Sequence, residues 1–216
     1  MIEKKPLRPY TKAEEIWNSI SHGAGVVFAV AGTVVLLVYC VLYRDVWSVV
    51  SSAIYGGTLI LLYTMSTLYH AITNKRAKKV LRVLDHTTIF LLIAGTYTPY
   101  SLVTLKHGPV GWIVFGLVWG SAVVGIILNM IDLERFKKIS LILYIASGWA
   151  AVIAMKPIIE NLAAPGLWLM LLGGLFYTGG IVFYVMKKHK YFHCIWHFFV
   201  LAGSVAHYFS VLLYVK

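Results

Sequence analysis

The chain has 216 residues, of which 60% are hydrophobic and 12% charged, and its mean hydropathy is +0.80. Soluble domains carry about 25% charged residues, so this composition excludes a water-soluble fold. The formal net charge is +11, but the 19 basic residues are spread over many short segments and not gathered on one element, which excludes nucleic acid as the expected partner.

Seven apolar segments follow one another along the chain, separated by charged residues, Gly or Pro. Because a membrane-spanning helix needs about 20 such residues, the pattern predicts an all-α integral membrane protein, a bundle of seven transmembrane helices forming a single domain over residues 1–216. Residues 1–17 are predicted to be a cytoplasmic N-terminal segment. The predicted spans are 18–43, 47–72, 83–105, 110–131, 139–155, 167–186 and 192–215.

Lys and Arg are distributed unevenly between alternate connecting segments. The segments that share a side with the N-terminus contain 15 of the 19, and the other segments contain 4. Because positive charge is retained on the cytoplasmic side, the N-terminus is predicted to be cytoplasmic and the C-terminus outside, in a multi-pass protein of the cell membrane. The two cysteines, Cys40 and Cys194, fall within spans and are expected to be buried without a disulfide. Pro99 is expected to kink the third span.

Ionisable side chains inside the spans are costly and are therefore candidates for function. The second span ends at the predicted cytoplasmic face and the third begins there, so His70 is expected at the same depth as Asp85. The seventh span also begins there, and its His193 and His197, four residues apart, share one helical face. Ser66 and His70 are related by the same spacing.

Three imidazoles beside a carboxylate match the chemistry of zinc. Imidazole nitrogen suits this metal, and catalytic zinc sites typically use three protein ligands and a water. The sequence therefore predicts a zinc site near the cytoplasmic face. For the pair His193 and His197 alone, the alternative is two interfacial histidines bonded to backbone or to lipid head groups. Cys194 faces another direction and is a weaker candidate ligand.

Short segments at these positions together resemble the motifs of the haemolysin III family, which is related to the progestin and adiponectin receptors (PAQR proteins) and, more distantly, to alkaline ceramidases. The segments are Glu15-Ile-Trp-Asn18-Ser-Ile-Ser-His22-Gly-Ala-Gly25, Ser66-Thr-Leu-Tyr-His70, Asp85-His-Thr-Thr-Ile-Phe and His193-Cys-Ile-Trp-His197. The resemblance implies zinc bound by His70, His193 and His197. It also implies that Asp85 and Ser66 lie close to the water that the metal activates.

Asp85 and Ser66 each have a structural alternative. Asp85 is expected to take a proton from that water, or to cap the third helix, and both roles are compatible. Ser66 is expected to stabilise developing charge, or to bond to the carbonyl four residues before it.

Depth and helical spacing also give expectations for the remaining polar side chains of the spans. Glu15, Asn18 and His22 are expected either to orient the ligands or simply to begin the first helix. His86 points away from Asp85 and is expected to contact a loop or lipid head groups. His207 lies about 21 Å deeper than His193 and is expected to bond to a neighbouring helix near the outer side.

The expected function is zinc-dependent, ceramidase-like hydrolysis of a lipid amide or ester near the inner leaflet, with membrane lipids or a lipid-like small molecule as partner. One alternative is a non-enzymatic sensor, regulator or receptor of membrane state in which zinc is structural. A further alternative is a membrane-permeabilising cytolysin, although no span offers the polar stripe that lines a pore. Members of the family are variously described in all of these ways, so the resemblance leaves open whether the chain is an enzyme.

Overall fold

A computed structural model describes residues 10–186 and 189–216, and the regular structure within these ranges is entirely helical. Six of the helical stretches there are long and apolar enough to cross a membrane, which makes the chain a multi-pass membrane protein. In chain order the elements are α1 (Lys12–Tyr43), α2 (Val46–Ala71), α3 (Lys75–Pro99), a π-helical turn (Tyr100–Thr104), α4 (Pro109–Gly148), a 3₁₀ helix (Ala150–Ala154), α5 (Met155–Asn161), α6 (Ala164–Val185) and α7 (Phe192–Tyr214).

The fourth and fifth predicted spans fall on one helical stretch of 53 residues, Pro109–Asn161. This stretch is interrupted at Asp132, whose φ of −160° and ψ of 96° are not helical. The Ser140 hydroxyl donates to Asn129 Oδ1 at 2.7 Å, whereas eleven residues of straight helix would separate the two by about 16 Å. The helix therefore turns back on itself at Asp132, and its two arms lie side by side.

Two helices begin well before the predicted spans because capping residues precede them. Thr11 caps α1: its side chain accepts from the backbone N–H of Glu14, and the Glu14 carboxylate accepts from the N–H of Thr11. The Asn74 side chain caps α3 by accepting from two backbone N–H groups of its first turn. The apolar runs mark the segments that face lipid, and the helices extend beyond them.

Two further predictions concern single residues of the spans. Pro99 is the last residue of α3, and the chain continues from it directly into the wider π-helical turn. Cys40 and Cys194 are buried and unpaired, as predicted.

The helices form a bundle in which neighbours in sequence pack together, and α7 packs against both α1 and α6. The first two helices approach closely at Gly25, where a Cβ would lie 2.4 Å from Tyr63 Cδ1. The starts of α1, α3 and α7 and the end of α2 meet at one end of the bundle, as ion pairs and ring contacts between them show. This meeting point carries the candidate site.

Candidate metal centre

Three buried histidines from two helices converge at this end of the bundle. His70 lies in the last turn of α2, and His193 and His197 lie in the first turns of α7. The Nε2 atoms of His70 and His193 are 3.2 Å apart. Each of the three rings offers one nitrogen within 4.8 Å of the other two, so the group is able to hold a metal ion. The structure thus brings together the three residues that were predicted as ligands.

The other nitrogen of His70 is held by α1. His70 Nδ1 lies 2.5 Å from Glu15 Oε2, and Glu15 Oε1 lies 2.8 Å from the ammonium of Lys78 on α3. The carboxylate accepts from the Nδ1–H group, which leaves the lone pair of Nε2 directed at the other histidines. Metal-binding histidines are commonly oriented by such a bond to a carboxylate.

One ring nitrogen of His197 is likewise held by α1. Its Nδ1 lies 3.1 Å from the carbonyl oxygen of Asn18 and 2.9 Å from Ser21 Oγ. Its Nε2 is buried and has no hydrogen-bond partner within the part of the chain that the structure describes. A buried acceptor without a partner is costly, and coordination of a metal would satisfy it. The donor set and its orientation therefore fit zinc.

The first helix supports the histidines through more residues than were predicted. The side-chain amide of Asn18 lies 3.5 Å from His70 Nδ1, and the ring of His22 stacks on that of His197 with centroids 3.5 Å apart. These contacts favour the orienting role over that of a simple helix start. Ser21 was missed, although it continues the three-residue spacing of Glu15 and Asn18 along one side of the helix.

The two predicted catalytic residues lie on the helices that form the site. Asp85 is buried well inside α3, so the prediction that it caps the helix is wrong; Asn74 has that role. Asp85 Oδ2 lies 3.6 Å from His86 Nδ1, and Asp85 is not a member of the histidine group defined above. Ser66 is fully buried, and its hydroxyl has no hydrogen-bond partner among residues 10–186 and 189–216. The alternative bond to the preceding turn is therefore not made.

Two other histidines of the predicted spans lie within helices and contact protein groups. The ring of His86 bonds to the carbonyl oxygen of Arg82 at 2.9 Å, on its own helix, and the predicted contact with a loop or with lipid head groups stays a prediction. His207 stacks on Tyr177 of α6 with centroids 5.4 Å apart. Its Nδ1, however, has no hydrogen-bond partner among the described residues, so the predicted bond to a neighbouring helix is not made by this atom.

Residues just outside the spans cover the site, and the sequence offered no signal for them. The ring of Tyr10 lies 5.1 Å from that of His193 and 5.9 Å from that of His70, measured between centroids. Burial raises the pKa of the Tyr10 hydroxyl, which keeps it neutral. Glu14 accepts a hydrogen bond from the N–H of Tyr191 at 3.1 Å, and this bond ties the start of α1 to the start of α7.

An apolar cavity of about 110 Å³ lies beside the histidines, among α3, α4, α6 and α7. Near the site it is lined by Asp85 and by His22, and farther along α7 it is lined by His207. Ile145 of α4 lines the cavity and is also exposed on the outside of the bundle. The wall of the cavity thus includes Asp85 near the histidines and an exposed apolar residue of α4.

The chain is similar to known proteins over almost its whole length, which includes the residues of the site. A family model described as "Haemolysin-III related" matches residues 10–208. The chain is 42% identical over 205 residues to the "Hemolysin-3 homolog" of Bacillus subtilis, and the aligned region covers 95% of this chain and 96% of the relative. It is 40% identical over 215 residues to the "Hemolysin-3" of Bacillus cereus, covering 100% and 98%. It is 27% identical over 207 residues to the human "Monocyte to macrophage differentiation factor", covering 93% and 84%.

Proposed function

Because the chain belongs to the haemolysin-III-related family, we propose that its histidine cluster is a zinc site that hydrolyses an amide or ester bond of a membrane lipid. The observation that carries the proposal is the convergence of one nitrogen each from His70, His193 and His197 within 4.8 Å. For two of these rings the outward nitrogen is already held by α1, so the inward nitrogen is directed at the centre of the group.

The proposal includes seven spans, with the N-terminus and the site on the cytoplasmic side. A straight helix of 53 residues would be about 80 Å long, far more than the roughly 30 Å of a bilayer core. The turn at Asp132 divides this stretch into two arms, each of which crosses the membrane. The excess of Lys and Arg in the segments on the N-terminal side supports the orientation.

The number of ligands favours a catalytic over a structural metal. Structural zinc usually has four protein ligands, whereas the group among the described residues has three. A zinc ion bound there supplies a Lewis acid that polarises a carbonyl group and makes water acidic near neutral pH. The sensor or receptor alternative would require a fourth ligand or a purely mechanical role for the three histidines.

Asp85 and Ser66 supply the proton acceptor and the hydrogen-bond donor. The Asp85 carboxylate lines the cavity, so it can accept the proton of an attacking water and return it to the leaving amine or alcohol. The Ser66 hydroxyl has no acceptor among the described residues and is free to donate to the substrate oxygen on which negative charge develops.

The cavity supports a lipid as the substrate. Its wall is predominantly apolar, and it reaches from Asp85 to Ile145 at the lipid-facing surface. An acyl chain could therefore enter from the bilayer without crossing water, with its carbonyl group at the histidines.

The test is hydrolysis by purified protein in lipid nanodiscs, with metal content measured on the same sample. Ceramides, N-acyl amides and phospholipids are incubated with the unchanged protein, with Asp85→Asn, and with the double variant His193→Ala and His197→Ala. We expect Asp85→Asn to keep its zinc and lose turnover about 10²-fold or more, and the double variant to lose both.

His107→Ala is the matched control, because His107 is exposed and distant from the site in sequence. It is expected to keep both zinc and turnover. Stoichiometric zinc without release of fatty acid from any of these lipids would contradict the hydrolase and favour the sensor or receptor alternative.

A further inference from the structure

His207 is a buried polar side chain in the apolar cavity, on the side away from the candidate metal centre. It follows His197 by ten residues on α7, which corresponds to about 15 Å along the helix axis. It lines the cavity beside the site and also a smaller neighbouring cavity of about 30 Å³. Its side chain is only 7% exposed.

Three sides of the His207 ring are closed by protein. Tyr177 stacks on one face, with the ring centroids 5.4 Å apart, and Tyr100 lies edge-on at 6.3 Å. Gly173 covers the edge formed by Cδ2 and Nε2, since a Cβ there would lie 2.4 Å from Cδ2. The Nδ1 atom is on the opposite edge of the ring, and it has no hydrogen-bond partner among the described residues.

Two tyrosine hydroxyls that line the same cavity are already satisfied inside the protein, whereas the ring nitrogens of His22, at the end near the histidine cluster, have no hydrogen-bond partner among the described residues. The Tyr97 hydroxyl donates to the carbonyl of Gly148 at 2.7 Å, and the Tyr144 hydroxyl donates to the carbonyl of His86 at 2.7 Å. Buried polar atoms are nearly always hydrogen-bonded, so Nδ1 of His207 is expected to take a partner that the described residues do not supply.

We propose that His207 is a second anchor for the lipid in the cavity, and that the preferred ligand is an amphiphile whose acyl chain carries a hydroxyl group about 15 Å from its polar head. This inference rests on the proposed function only in placing the polar head at the histidine cluster. The wall between the two anchors is predominantly apolar, so an acyl chain there would contact apolar side chains.

A hydroxyl group is the chemistry that this position accepts best. A neutral imidazole has one donor and one acceptor nitrogen, and which of them is Nδ1 depends on the tautomer. A hydroxyl can donate or accept and therefore fits either tautomer. A carboxylate or an ammonium group would bring a charge into apolar surroundings, where an unpaired charge is strongly unfavourable.

The experiment compares the binding of lauric acid and ω-hydroxylauric acid, two acids of equal chain length, to zinc-loaded protein in detergent. Affinities are measured by displacement of a fluorescent fatty acid and corrected for the partition of each acid into protein-free micelles. In the unchanged protein we expect ω-hydroxylauric acid to bind about tenfold more tightly than lauric acid, as one buried hydrogen bond would give.

The variant His207→Leu removes the hydrogen bond and keeps an apolar side chain. It is expected to abolish the preference without weakening lauric acid, and His207→Gln is expected to restore part of the preference. The matched control is His107→Leu, the same change at an exposed position, which should leave the preference unchanged. Unfolding midpoints of all variants verify that they are folded.

The outcomes separate this inference from the proposed hydrolase. Equal corrected binding of the two acids by the unchanged protein would overturn the second anchor, whatever the turnover assay shows. A preference that persists in folded His207→Leu would also overturn it. A preference that depends on His207, in a protein that hydrolyses no lipid, would support the anchor while the hydrolase fails.

Discussion

The carboxylate of Glu15 joins two elements of the site, because one oxygen contacts His70 Nδ1 and the other contacts the ammonium of Lys78. A single side chain thus sets which nitrogen of His70 carries the proton. It also links the end of α2 to the start of α3. The imidazole is oriented before any metal binds, which reduces the entropy lost on coordination.

Replacing Glu15 by Gln should weaken zinc binding about 10-fold to 100-fold, because the amide is a poorer acceptor for the Nδ1–H group and no longer pairs with Lys78. The measurement is a zinc competition titration against a chromophoric chelator. Glu160→Gln makes the same change on an exposed residue and should leave the affinity unaltered. Equal affinities for the two variants would show that Glu15 does not orient the ligand.

At the scale of the element, the starts of α1, α2 and α3 are stabilised by side-chain caps. Asp45 caps α2 and accepts from both the backbone N–H and the hydroxyl of Ser48, at 2.8 Å and 2.7 Å. These hydrogen bonds from Ser48 hold the pKa of the Asp45 carboxyl below its ordinary value. Ionisation of the carboxylate therefore strengthens this cap.

Asp45→Ala is expected to lower the free energy of unfolding by about 1 kcal/mol at neutral pH, the usual cost of losing such a cap. Because the folded-state pKa is depressed, this stabilisation is fully present above the unfolded-state pKa of about 4 and is lost as the pH falls through the lower folded value. Thermal unfolding in detergent should therefore separate the unchanged protein from Asp45→Ala at neutral pH and bring them together in strong acid.

Asp45→Asn keeps an acceptor oxygen at the same place and is the control for the pH effect. It should remain close to the unchanged protein at neutral pH and should show less loss of stability on acidification at this position. A difference between the unchanged protein and Asp45→Ala that stays constant down to strong acid would contradict the assignment.

At the scale of the whole molecule, the proposed count of seven spans depends on the turn at Asp132. If both arms of this stretch cross the membrane, the chain has seven spans and its termini lie on opposite sides. If only one arm crosses, the chain has six spans and its termini lie on the same side. Asn129 accepts from Ser140 and also donates to the hydroxyl of Tyr144 at 3.4 Å, so the arms are joined by side-chain bonds near the turn. These polar contacts join the two arms within about a dozen residues of Asp132.

Labelling of single cysteines in intact cells tests this topology. In a background of Cys40→Ser and Cys194→Ser, we expect Lys216→Cys to react with an impermeant maleimide added outside. Asn74→Cys, in the connection between α2 and α3, should react only after the cells are permeabilised. Both positions are exposed, so access depends on the membrane alone. Reaction of Lys216→Cys only after permeabilisation would contradict seven spans.

The fold class and the three histidines were accessible from the sequence because they depend on local properties. Hydropathy and helical spacing belong to each segment by itself, and the bilayer then assigns every residue a depth. Depth alone placed His70 level with the pair His193 and His197, and the structure brings the three together. The same reasoning missed the true starts of α1 and α3, since capping by Thr11 and Asn74 lies outside the apolar runs.

Only the tertiary structure decided how the helices are rotated about their axes and how far apart they stand. The sequence placed Asp85 and His207 at a depth, but their surroundings depend on the packing of several helices at once. Packing places Tyr10 over the histidines, directs Glu15 to His70, and leaves the Nδ1 atom of His207 without a partner among the described residues. The depth of a residue in the membrane follows from the hydropathy of its own segment. The direction of its side chain depends on contacts with segments that are distant in the sequence.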